Sequence, residues 1–192
     1  LEHTKKNEAP FGPHFFIVED KANRIWVHPN GGGFSYYDKG TDKFLPFYND
    51  VNSVNYKFSD KLHDVFVDKQ GNLWLSTRSG GIEKIVFDNE VFRYDDFDTD
   101  RLLSINDEIR AIFEDWENKN IWFASKDGLI MVYDKDKKFK GYLCTNGSIS
   151  LNHTPLKAMA YSIMQDKDKN IWIGSKGNGL YFLEPNNNNS YN

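Results

Sequence analysis

Asp115-Trp116-Glu117-Asn118-Lys119-Asn120-Ile121-Trp122-Phe123-Ala124-Ser125 joins a polar turn to an apolar run. Working outward, the aliphatic–tryptophan pair returns as Ile25-Trp26, Leu73-Trp74 and Ile171-Trp172, so the four copies stand 48, 48 and 50 residues apart. Each follows an aspartate by several residues: Asp20, Asp68, Asp115 and Asp166. Self-similarity at a period of this size marks a repeat architecture, and function has to be read from the repeat.

Adjacent strand residues point to opposite faces, so Ile121, Trp122 and Phe123 together require cover on both sides of their sheet. Around each pair lie further short apolar runs separated by turn residues. The first unit offers 15–18, 25–27, 34–37 and 44–48; the second 65–67, 73–75, 82–87 and 91–94; the third 109–113, 121–123, 129–133 and 139–143. The fourth offers 161–164, 171–173 and 180–183 and lacks an outermost strand. Sheets stacked radially as β-propeller blades supply the two-sided cover. The expectation is all-β: blades of four antiparallel strands, about four of them, the last incomplete. The division is a polar leader 1–10, blades at 11–49, 50–98, 99–145 and 146–185, and an Asn-rich tail 186–192. The aspartate and the Gly or Asn before each tryptophan fit the first hairpin of a blade, and Gly80-Gly81, Gly128 and Gly177 with Gly179 fit the second.

The 192 residues are 39% hydrophobic and 16% aromatic, enough for a real core. A net charge of -4 with Lys and Arg dispersed among acids offers no stripe for a phosphate backbone, so no direct nucleic-acid contact is expected. The single cysteine, Cys144, excludes an internal disulfide. No apolar run approaches the roughly 20 residues that cross a bilayer, and no membrane contact by this segment is expected. The start at Leu1 and the Asn-rich end read as an excerpt of something longer.

The third unit, with Leu102-Leu103-Ser104-Ile105-Asn106-Asp107-Glu108-Ile109-Arg110-Ala111-Ile112-Phe113-Glu114-Asp115, then Asn120-Ile121-Trp122-Phe123-Ala124-Ser125, Gly128-Leu129 and Tyr133-Asp134, resembles the two-component regulator propeller repeat. The resemblance spans about residues 11 to 185. The first unit departs most, with Arg24 for the Asn and His28-Pro29 for the small residues after the strand. It implies part of an extracytoplasmic, periplasmic sensor propeller in a membrane-anchored hybrid histidine kinase/response regulator, of the type controlling polysaccharide-utilisation genes in Bacteroides-like bacteria. The implied partner is an oligosaccharide, and this segment is expected to be non-enzymatic. Family rings usually need about seven blades, which leaves three arrangements: a piece of a larger ring, two chains completing one, or four blades closed by residues 1–10. The polar stretch Glu2 to Glu8 favours the piece. A propeller glycosidase or polysaccharide lyase and a protein-binding scaffold remain alternatives.

Propellers usually bind ligands where the loops between second and third strands meet the loops joining blades. Four residues after the tryptophans lie Asn30, Arg78, Lys126 and Lys176, which would form a partial ring of donors for a sulfated or uronic-acid glycan, assisted by His28, Ser76, Ser125, Asn106, Asn152 and His153. Solvated loop charge is the competing explanation. Trp116 stands where other turns carry Lys21, Lys69 and Lys167, and either stacks on a sugar or partner or caps its own blade. Asp166-Lys167-Asp168-Lys169-Asn170 opens like a calcium loop, but Ile171 and Gly177 occupy the loop glycine and closing glutamate positions. The histidines show no ligand-pair spacing, so no metal or other cofactor is expected.

Overall fold

A computed structural model describes residues 16–28, 34–47, 62–77, 82–88, 91–95, 108–186 and 190–191. All regular structure among them is strand. The first sheet contains β1 (Phe16–Glu19), β2 (Ile25–His28), β3 (Ser35–Asp38) and β4 (Lys43–Pro46). The second contains β5 (Leu62–Val67), β6 (Leu73–Thr77), β7 (Ile82–Asp88) and β8 (Val91–Asp95). The third runs from β9 (Ile109–Glu114) through β10 (Ile121–Ser125), β11 (Ile130–Tyr133) and β12 (Phe139–Leu143) to β13 (Ile149–Ser150). The fourth has β14 (Ala160–Gln165), β15 (Ile171–Ser175) and β16 (Gly179–Leu183). Within each sheet consecutive strands pair antiparallel in chain order.

The first strands of successive sheets lie side by side, β1 against β5, β5 against β9 and β9 against β14, and the ring is not closed. The core divides accordingly into three clusters, one between each pair of neighbouring sheets. Trp26 packs toward Leu73, Leu75 and Ile85; Trp74 toward Ile121, Phe123 and Tyr133; Trp122 toward Ile171 and Ile173. Each of these three tryptophans is thus a wedge driven from one blade onto the apolar face of the next. Burying about 200 Å² of indole at about 25 cal/mol per Å² contributes roughly 5 kcal/mol gross, which explains why the repeat keeps this side chain.

Two features depart from the expected layout. The third sheet has five strands, because Gly141 in β12 allows β13 to close on it: a Cβ there would lie 2.6 Å from the Ser150 carbonyl carbon. Residues 149–150, assigned from sequence to the fourth blade, therefore belong to the third sheet. The tail also returns onto the third blade. The Tyr191 amide donates to the Gly147 carbonyl at 2.8 Å, and the buried Tyr191 ring meets Trp122 edge-on at 5.6 Å. The polar leader 1–10, Gly80-Gly81 and the candidates Asn30, Arg78 and Asn106 lie outside the described residues.

Candidate functional site

One end of every blade is a clamp. The indole Nε1–H donates to the turn aspartate in all four: Trp26 to Asp20 at 2.8 Å, Trp74 to Asp68 at 2.9 Å, Trp122 to Asp115 at 3.1 Å and Trp172 to Asp166 at 2.8 Å. The same carboxylates accept the Nδ2 of Asn72, Asn120 and Asn170. In the first blade Arg24 Nε takes that role at 2.6 Å, so its departure from the repeat preserves the bond. The residue before this partner is left-handed in each turn: Asn23, Gly71, Lys119 and Lys169 have φ between 55° and 93°. The aspartates, expected to shape the hairpins, also tie the turn to the blade's central wedge. Among the described residues no group of three or more His, Cys, Asp or Glu is placed to hold a metal ion.

The opposite end carries the polar chemistry. The first strand of the second, third and fourth blades contains a β-bulge facing the second strand. Pairing skips from Leu62 to Asp64, from Ile109 to Ala111 and from Ala160 to Ser162. The skipped residues are His63, Arg110 and Tyr161, three equivalent positions along the inner rim of the arc. Bulges re-aim a side chain out of the pleat and concentrate beside functional sites. Here Glu108 links His63 to Arg110, and Arg110 reaches Tyr161. His63 Nε2 contacts Glu108 Oε1, Arg110 Nη2 lies 2.9 Å from Glu108 Oε1, and Lys126 Nζ lies 3.0 Å from Glu108 Oε2. Arg110 Nη1 donates to Tyr161 Oη at 3.4 Å, with the guanidinium carbon 5.4 Å from the ring centroid.

Burial acts to raise the Glu108 pKa, but the Lys126 hydrogen bond and the His63 and Arg110 charges outweigh it and hold the carboxyl below its usual range. One carboxylate faces two permanent cations and an imidazole. Arg110 Nε has no hydrogen-bond partner among the described residues. Next to the first bulge, Asp64 Oδ2 accepts the Ile112 amide across the blade boundary at 2.8 Å, and burial pushes its carboxyl up to about 6.

Lys126 and Lys176 reach this rim, as their position after the tryptophan implies. Their amides donate to the carbonyls of Glu108 at 2.7 Å and Met159 at 2.9 Å, each two residues before a bulge. Several other candidates do not join them. His28 is buried, and its Nε2 accepts the Leu62 amide at 3.3 Å; Ser76 is fully buried; and Ser125 Oγ accepts the Leu129 amide within its hairpin. Asn152 and His153 pack on Ser150 Oγ at the outer edge of the third sheet. Trp116 lies at the clamp end, 49% exposed, with Lys69 Nζ 6.0 Å from its ring and its own amide donating to Gln165 Oε1 at 2.7 Å. His63, Arg110 and Tyr161 escaped the sequence analysis because three unlike side chains share no motif. Their signal is positional: eleven residues before Trp74 and Trp172, and twelve before Trp122, whose turn is one residue longer.

Residues 157–177, covering β14 and β15, match the family model described as two component regulator propeller. The chain carries a two component regulator propeller repeat. Over 78 residues, 41% of this chain, it is 27% identical to Histidine kinase P4 of Formosa agariphila. The solved extracellular domain of BT3049 from B. thetaiotaomicron, described as a hybrid two component system, aligns over 87% of this chain at 23% identity and a TM-score of 0.58. The WD40 β-propeller domain of Doa1 aligns over 92% of this chain and 52% of its own at 14% identity and a TM-score of 0.57. At such identities the structural likeness establishes the propeller fold. The chain spans 6% of the histidine kinase and 19% of the BT3049 chain.

Proposed function

We propose that this chain is a sector of the extracytoplasmic sensor propeller of a membrane-anchored, histidine-kinase-linked two-component regulator. The regulator propeller repeat at residues 157–177 is the observation that carries this reading, since the same clamp recurs in every blade. In this proposal the segment is non-catalytic and binds an oligosaccharide, and the whole receptor couples that binding to polysaccharide-utilisation genes. Ligand alters signalling only by the difference in its affinity for two receptor arrangements.

The bulge rim supports an acidic sugar. Arg110 and Lys126 offer charge-assisted donors to a uronate or sulfate, and Tyr161, 42% exposed, offers an aromatic face. Calorimetric titration of the purified chain with matched uronic, sulfated and neutral oligosaccharides tests this. The acidic members bind, and Arg110→Ala with Lys126→Ala weakens them about tenfold or more, at about 1.4 kcal/mol per tenfold. Binding indifferent to sugar charge, or unchanged in the double variant, overturns the assignment.

A further inference from the structure

Glu108 holds together the charged side of the bulge rim. Its Oε1 meets His63 Nε2 and lies 2.9 Å from Arg110 Nη2, while its Oε2 lies 3.0 Å from Lys126 Nζ. An ionised carboxylate only accepts hydrogen bonds, and two oxygens facing a guanidinium and an ammonium are what a uronate or sulfate would present to the same donors. The chain thus supplies its own anion to this part of the rim. The Glu108 and Arg110 side chains are largely buried, whereas that of Lys126 is 55% exposed and open to solvent.

The next blade repeats the site without the carboxylate. The Lys126 amide donates to the Glu108 carbonyl at 2.7 Å and the Lys176 amide to the Met159 carbonyl at 2.9 Å, so Met159 stands in the place of Glu108 and Lys176 in that of Lys126. The spacing agrees, since Glu108 precedes the bulge residue Arg110 by two positions and Met159 precedes Tyr161 by two. Lys176 is exposed and makes no ion pair among the described residues. In one repeat frame, then, one lysine is neutralised by the chain and its equivalent is not. The blade pattern does not require the carboxylate, because the fourth blade makes the same backbone contact with a thioether in its place.

We infer that Glu108 is an internal surrogate for the ligand's acid group, which a bound anion must displace from Arg110 and Lys126, while Lys176 is the rim's uncompensated cation. The inference rests on the bulge rim being the ligand face. Exchanging one anion for another at Arg110 and Lys126 changes the local charge balance little, so Glu108 lowers affinity and raises selectivity. A ligand has to match these donors better than the chain's own carboxylate does.

Titration with sodium sulfate at constant ionic strength tests this with a probe that needs no sugar, with circular dichroism confirming that each variant folds. Nitrogen–proton spectra follow the Arg110 Nε–H, which has no hydrogen-bond partner among the described residues and reports an arriving anion. Glu108→Gln, which keeps the shape and removes the charge, is expected to bind sulfate about tenfold more tightly than wild type. In that background Lys126→Ala abolishes the gain, and Met159→Glu, which gives the fourth blade the same internal anion, weakens binding about threefold or more. Equal or weaker sulfate binding by Glu108→Gln, a gain that survives Lys126→Ala, or indifference to Met159→Glu overturns the inference. Titrations with oligosaccharides separate it from the reading beneath it. Acidic sugars that bind wild type with no gain in Glu108→Gln sink the surrogate alone, whereas a sulfate gain in a chain indifferent to sugar charge sinks the acidic-sugar assignment alone.

Discussion

Replacing Asp115 by alanine removes the acceptor for three donors: Trp122 Nε1, Asn120 Nδ2 and the Asn118 amide. Asn118 is exposed, so water takes over its bond, but Trp122 and Asn120 are buried and are left with orphaned polar atoms. Each buried donor stripped of its partner costs about 1–3 kcal/mol, so Asp115→Ala is expected to lose about 4 kcal/mol. For a chain of this size that lowers the melting temperature by roughly 8–16 °C. Asp166→Ala serves as the internal comparison. It breaks the same bonds in the fourth blade, where Asp166, Asn170 and Trp172 are only partly buried, and water restores much of what is lost. Its expected cost is about half, and Asp115→Asn, which keeps one acceptor, falls between wild type and Asp115→Ala. Thermal and urea unfolding followed by tryptophan fluorescence measure all three. A loss under about 1 kcal/mol for Asp115→Ala, or a larger loss for Asp166→Ala, would refute the clamp as a buried hydrogen-bond hub.

Three further outcomes follow from other parts of the fold. The Asp64 carboxyl, raised from 3.8 to about 6 by burial, contributes stability that is present below pH 4 and lost as pH rises through 6. Wild type should therefore fall relative to Asp64→Asn by up to about 3 kcal/mol between pH 4 and pH 7 in urea titrations, and a pH-independent difference would contradict this. Glu108 has the opposite sign. Its depressed carboxyl contributes stability above about 4.5 that disappears on acidification, so the wild-type advantage over Glu108→Gln should vanish at low pH in the same titrations. Gly147→Ala places a methyl 1.6 Å from the Tyr191 carbonyl oxygen, at a φ of 75° that disfavours side chains. It should release the tail from Trp122, seen as faster proteolysis at the C-terminus with the blades intact.

The blades were legible because their physics repeats. Ile121, Trp122 and Phe123 could only belong to a strand covered on both faces, and the same pattern at Trp26, Trp74 and Trp172 fixed the period. The turn aspartates were legible as hairpin formers, but their bond to the indole was not, since it needs the tryptophan's rotamer. Arg24 read as a defect, yet its guanidinium replaces an Asn amide with the same donor geometry toward Asp20. The rim was less legible. Lys126 read as a ligand donor or a solvated loop charge, whereas Glu108 engages it, and the bulges presenting His63, Arg110 and Tyr161 arise from strand register, which no local motif records. Tyr191 was hidden for a different reason: its partner Gly147 is far away in the chain, and polar neighbours give no sign that it returns to the core.

The central claim is that four tryptophans are hydrogen-bonded to their turn aspartates, three of them as wedges between radial sheets and Trp172 on the open face of the last, while the fifth stands outside the pattern. Hydrogen exchange at the five indole Nε1–H groups, resolved by nitrogen–proton correlation spectra, tests it most directly. The expected order is strong protection at Trp26, Trp74 and Trp122, intermediate protection at Trp172 beside the open face, and rapid exchange at Trp116. Equal exchange at all five, or Trp116 protected as well as Trp122, would contradict the architecture.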